Sequence, residues 1–158
     1  MDLEKKLSLM RKYDFSSIGN NGQLPYGFGN SVSSIGVTVE NRLAGNGDLR
    51  EGIETLFRKY GYLRAAYDTI DFSELDADDP DFQLLFNVRA LLPQLGASIF
   101  QFGKRISNEG YHSVANAQDE GNKVLEYVKG LSSLNWESYR NRIKEIEAQL
   151  PTEPTPSQ

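Results

Sequence analysis

The chain has 158 residues, 39% apolar and 25% charged, enough for one domain with a real core and outside the range of disordered chains. Its formal charge of −5 argues against a duplex or RNA binder, whose affinity rests on neutralising phosphates. Without cysteine there are no disulfides, thiolate metal sites or thiol nucleophiles. No apolar run approaches the roughly 20 residues of a membrane span, and MDLEKKLSLMRKY lacks the apolar core of a signal peptide. A cytoplasmic chain, or one held within an assembled particle, is the expectation.

In chain order, residues 1–13 predict a short helix with Leu3, Leu7 and Met10 on one face, acids leading and bases following. Residues 14–47 change character. Seven of the 14 glycines fall between Gly19 and Gly47, among Asn and Ser residues and the segment QLPYGFGN. This stretch predicts an extended Gly/Asn-rich arm, with a short strand where Ile35, Val37 and Val39 alternate with Gly36, Thr38 and Glu40.

Residues 48–150 predict an antiparallel bundle of heptad-spaced helices. Asp48 and Glu51 form a capping pattern, after which Leu49, Ile53, Leu56, Tyr60, Leu63, Tyr67 and Ile70 step by 4 and 3 residues alternately. Asp79-Pro80-Asp81 opens a second long helix, whose seam is Leu85, Val88, Leu92, Leu95, Ile99, Phe102 and Ile106. Pro93 lies inside it and predicts a kink or break near Leu92. Gly96, Gly103 and Gly110 recur every seven residues beside the seam, where a neighbouring backbone could come close. After a break near 107–111, a third seam runs from Val114 to Leu131, and Asn135 caps a fourth from Trp136 to Leu150. The Pro-rich tail, residues 151–158, predicts disorder. The fold class is therefore all-α.

Chemistry is sparse along the chain. The single histidine, His112, stands beside Ser113 without a glycine elbow, as an exposed or locally capping residue. No Glu-x-x-His, third-glycine fingerprint or phosphate loop is present. The run from Asp76 to Asp81 lacks the glycine and terminal glutamate of a calcium loop. Glu109, Asp119 and Glu120 cluster near a helix break and would be the carboxylates of a small hydrolase, the last-ranked reading. No catalytic, cofactor-binding or metal-binding residue is assigned.

What remains is interaction. Asp68, Asp71, Glu74, Asp76, Asp78, Asp79 and Asp81 form an acidic stretch with no Lys or Arg between Arg64 and Arg89. They read as a solvated, capping turn or as a docking site for a basic surface. Tyr26 and Phe28 would let the arm dock into a protein groove. The leading expectation is a non-enzymatic assembly protein that self-associates or joins a larger complex, with a make-up like that of phage-particle components. The alternative is an acidic inhibitor or adaptor. A protein partner fits both, and nucleic acid, membrane and cofactor fit neither.

Overall fold

The structure, a computed structural model, describes residues 1–16 and 27–151. Among them it is all-helical, with no strand. The α-helices are α1 (Leu3–Lys12), α2 (Phe28–Leu43), α3 (Leu49–Tyr67), α4 (Gln83–Asn108), α5 (Gln118–Ser132) and α6 (Trp136–Gln149). Of the tail expected to be disordered, residues 151–158, all but Pro151 lie outside the described residues.

Local chemistry explains the helix starts. The carboxylates of Asp2 and Asp48 each accept a hydrogen bond from the backbone N–H three residues on, at 2.8 Å, and the Asn135 side chain accepts one from Ser138 at 2.9 Å. Asp79 caps the single 3₁₀ turn Pro80–Phe82 that leads into α4. The α4 seam of Leu85, Val88, Leu92, Leu95, Ile99, Phe102 and Ile106 is no more than 1% exposed throughout. Each such burial contributes about 1.5–3 kcal/mol.

Two expectations are corrected. Residues 28–43 form helix α2 instead of an arm with a strand. The apparent alternation at Ile35, Val37 and Val39 is part of a helical seam, Phe28, Val32, Ile35 and Val39, all buried, while Val37 points out and is 52% exposed. Glycine does not break this helix because it is needed there: a Cβ on Gly36 would stand 2.9 Å from Cγ1 of Val128 on α5. The second correction concerns Pro93: helix α4 continues through it, so the chain does not break near Leu92. Pro93 and Arg89 are both exposed, so the carbonyl of Arg89 that loses its partner faces water.

Helix α2 packs on α3 and α5, and α4 packs on the same two, so the four close a ring around the core. Helices α1 and α6 pair and cover the end of the ring where α2 and α4 begin. There Trp136 meets Phe28 and Tyr139 at centroid distances of 5.3 and 5.4 Å. The Tyr139 hydroxyl donates to the Met10 carbonyl at 2.6 Å, tying α6 to α1.

Candidate interaction surfaces

The acidic stretch divides into residues held inside the structure and residues left outside. Asp68 pairs with Arg64 one turn earlier at 2.9 Å. Asp71 accepts from the backbone and hydroxyl of Ser73, which hold its carboxyl below the usual range, and its own N–H donates to the Tyr13 hydroxyl at 3.1 Å. Asp76 caps Asp78 N–H at 2.9 Å.

Asp79 and Asp81 both receive the Lys6 ammonium, at 2.8 and 3.0 Å, with all three side chains no more than 16% exposed. Arg142 Nε reaches both Asp81 oxygens, at 3.0 and 3.1 Å. The hydrogen bond to Asp79 raises the Lys6 pKa against the opposing effect of burial, and Asp81 adds to it. Partial burial pushes Asp79 up, but the bonds from Lys6 and from Asp81 N–H prevail and hold it below the ordinary carboxylate range. These two acids join α1 and α6 to the start of α4. Asp71, Glu74, Asp76 and Asp78 of the stretch remain exposed without an ion pair to a cation of the described residues.

Beside this network lies a cleft of about 610 Å³, lined by Pro80, Leu84, Asn87, Asn135 and the closed pair Asp81–Arg142. Phe28, expected on a docking arm, is 2% exposed and belongs to the core against Trp136. Its partner in that expectation, Tyr26, lies outside the described residues.

Helices α3 and α4 present a different face. A Cβ on Gly96 would overlap the hydroxyl end of Tyr60, and one on Gly103 would stand 3.1 Å from Cγ2 of Ile53 and 3.4 Å from the Phe57 ring. Two aromatic side chains of α3 therefore lie over two glycines of α4. Phe57 remains 44% exposed, and Phe100, one turn before Gly103 on α4, is 54% exposed. Toward the start of α4 the aromatic surface continues through Tyr67, Phe72 and Phe86, with successive ring centroids 5.8 and 5.2 Å apart. The Arg89 guanidinium sits 5.0 Å from the Phe72 ring and Arg64 sits 5.1 Å from Tyr67. At the far end Arg50 lies 4.2 Å from the ring of Tyr111, just beyond α4.

Phe57 and Phe100 were missed in the sequence because they stand off the seams. That position was itself the signal, since a large aromatic beside an already complete seam has no core to enter.

The remaining candidates are accounted for locally. His112 lines a cleft of about 440 Å³ with Arg42, Tyr111 and Ser113. Glu109 accepts from the Asn116 amide at 3.2 Å, and Glu120 stands 3.8 Å from Arg105. Among the described residues no three His, Asp or Glu side chains gather closely enough to hold a metal ion, and no helix is long and apolar enough to cross a membrane. No family model, curated protein or solved structure matches this chain.

Proposed function

We propose that the chain is a non-enzymatic assembly protein: an antiparallel bundle of heptad-spaced helices that joins a larger complex through one of its faces. The order of contacts supports the antiparallel arrangement. Tyr60 reaches Gly96 while the earlier Phe57 and Ile53 reach the later Gly103. Gly36 meets Val128, while the later Leu43 meets the earlier Gly121. Such a bundle closes its core within one chain, so association must use its outside.

The observation that carries the assembly reading is the exposed pair Phe57 and Phe100, on neighbouring helices around one glycine. Isolated exposed apolar side chains are ordinary, but two large exposed aromatics on one two-helix face, Phe57 against Gly103 and Phe100 one turn from it, suit a protein partner. A second reading, an acidic adaptor, is favoured only by Asp71, Glu74, Asp76 and Asp78, since Asp68, Asp79 and Asp81 are ion-paired within the fold.

Light scattering on a sizing column tests the choice. The full chain should run above 17.8 kDa, with a mass that rises with concentration, and Phe57→Ser with Phe100→Ser should return it to the monomer. A wild-type monomer at every concentration would reject the assembly reading and leave the adaptor. The adaptor would then show itself by steeply salt-dependent binding to a basic protein surface.

A further inference from the structure

We propose that the Asn46-Gly47 peptide, in the turn between α2 and α3, is a self-modification site. The Asn46 side-chain amide is lost through a cyclic imide, and Arg42 promotes the ring closure. This is independent of the assembly reading and needs no partner.

The reaction belongs to the main chain. The backbone nitrogen of Gly47, having given up its proton to base, attacks Cγ of Asn46. A new C–N bond forms, the bond from Cγ to the amide nitrogen breaks, and that nitrogen leaves as ammonia after taking a proton from water. Water then opens the five-membered imide at either carbonyl, giving aspartate or isoaspartate. No oxidant or cofactor takes part. The attack requires a backbone N–H free of hydrogen bonds, an asparagine side chain free to turn toward it, and no side chain crowding the nitrogen.

The turn meets all three requirements. Asn46 N–H donates to the Asn41 carbonyl at 2.8 Å, and the Asp48 carboxylate caps α3, so the chain is fixed on both sides of the peptide. Between these anchors, Gly47 N–H donates to no group among the described residues. Asn46 is exposed, and its side chain has no hydrogen-bond partner among them either. Gly47 has a φ of 86° and no Cβ, and a Cβ placed there would run into the Arg42 guanidinium. Every other asparagine of the described residues precedes a residue with a side chain.

Arg42 adds what an ordinary Asn-Gly turn lacks. Its Nη1 donates to the Asn46 carbonyl at 3.2 Å, and its Nε donates to the Asp48 carbonyl at 2.9 Å. The Asn46 carbonyl belongs to the same peptide group as the attacking nitrogen. When Gly47 N–H is deprotonated, the negative charge rests largely on that oxygen, where a cationic donor stabilises it. The Arg42 stem is held against α3, since a Cβ on Gly52 would stand 3.0 Å from Arg42 Cγ. The neighbouring carboxylate of Asp48 is engaged by Glu51 N–H at 2.8 Å instead of by Arg42.

Mass spectrometry of the incubated full-length chain tests this. Cleavage after Glu40 and Glu51 isolates residues 41–51, in which conversion of the amide to a carboxyl is read as a mass gain. The same cut separates Asn46 from Asn21-Gly22, the other Asn-Gly pair of the sequence. Folding ordinarily slows this chemistry by restricting the chain, yet Asn46 should convert at least as fast in the folded chain as in urea. Arg42→Gln, with helical circular dichroism unchanged, should slow conversion in the folded chain by roughly tenfold, the worth of one charge-assisted hydrogen bond. In urea the two chains should convert alike. Slower conversion in the folded wild type than in urea, or equal rates for folded wild type and Arg42→Gln, would overturn the proposal. Should Arg42→Gln fail to fold, the wild-type comparison decides alone.

Discussion

Two faces of the molecule use glycine in opposite ways. Between α2 and α5, Gly36 and Gly121 lie in the interior, where a Cβ would stand 2.9 Å from Val128 and 2.7 Å from Leu43. Between α3 and α4, Gly96 is covered by Tyr60, and Gly103 lies under the buried Ile53 and the half-exposed Phe57. The first face is closed by aliphatic side chains that fill it. The second is roofed by aromatic rings whose outer surfaces still meet water. A helix glycine can thus mark a finished contact or the floor of an unfinished one, and the neighbouring side chains decide which.

The largest expected effect separates two phenylalanines of one helix. Phe102 is fully buried beneath the Gly121 contact, and Phe100 is 54% exposed. Phe102→Ala should destabilise the monomer by about 3–5 kcal/mol through lost burial and a cavity. Phe100→Ala should change it by no more than about 0.5 kcal/mol. Urea unfolding of both variants at monomeric concentration reads this directly, and comparable losses would show that Phe100 is part of the core.

Next comes the sealed face itself. Gly36→Ala should cost about 1–3 kcal/mol, because Val128 is stiff at χ1 and cannot swing clear of the added methyl. An unchanged urea midpoint would mean that α2 and α5 can separate freely.

A third effect concerns the end of the ring. Lys6→Met should lower stability by about 1–3 kcal/mol by leaving Asp79 and Asp81 without their ammonium donor. The pH dependence has two ends. Asp79 has a depressed pKa, so its contribution is present above the ordinary carboxylate pKa of about 4 and is lost as pH falls through the folded value. Lys6 has a raised pKa, so its contribution is complete below about 10.4 and is lost as pH rises through the folded value. The melting-temperature gap between wild type and Lys6→Met should be flat between those limits and narrow at both extremes. A gap that persisted unchanged into strong acid would contradict the pairing.

These contrasts show which features a sequence exposes. The 3–4 seams of α3 to α6 are local and repeat, so each could be read from its own residues. Helix α2 carries the same kind of seam in Phe28, Val32, Ile35 and Val39. It was obscured because Gly36, which permits close packing on Val128, resembles the glycine of a flexible arm until its neighbour is known. The ion-pair network was hidden for a different reason. Lys6 and Asp81 are 75 residues apart, so only the fold reveals that the acidic stretch is partly neutralised from within. Exposure at Phe57 and Phe100 lay between these cases, visible as aromatics off the seam but not as side chains near the α3–α4 contact at Gly103.

The smallest effect sharpens the open face. Gly61→Ala should raise monomer stability by up to about 1 kcal/mol through helix propensity, since the added methyl meets nothing. Lowered stability would show that a side chain at Gly61 does meet a neighbour.

The most direct test places a probe beside Phe100. The chain has no cysteine, so Lys104→Cys, exposed one turn beyond Phe100, gives one attachment site for a nitroxide, and Val37→Cys, on the exposed side of α2, gives a control. Pulsed dipolar spectroscopy on the self-associated full-length chain should find a shorter intermolecular distance for the Lys104 label than for the Val37 label. A shorter distance at Val37 than at Lys104, or no resolvable distance at Lys104, would contradict the α3–α4 face as the surface through which this chain associates.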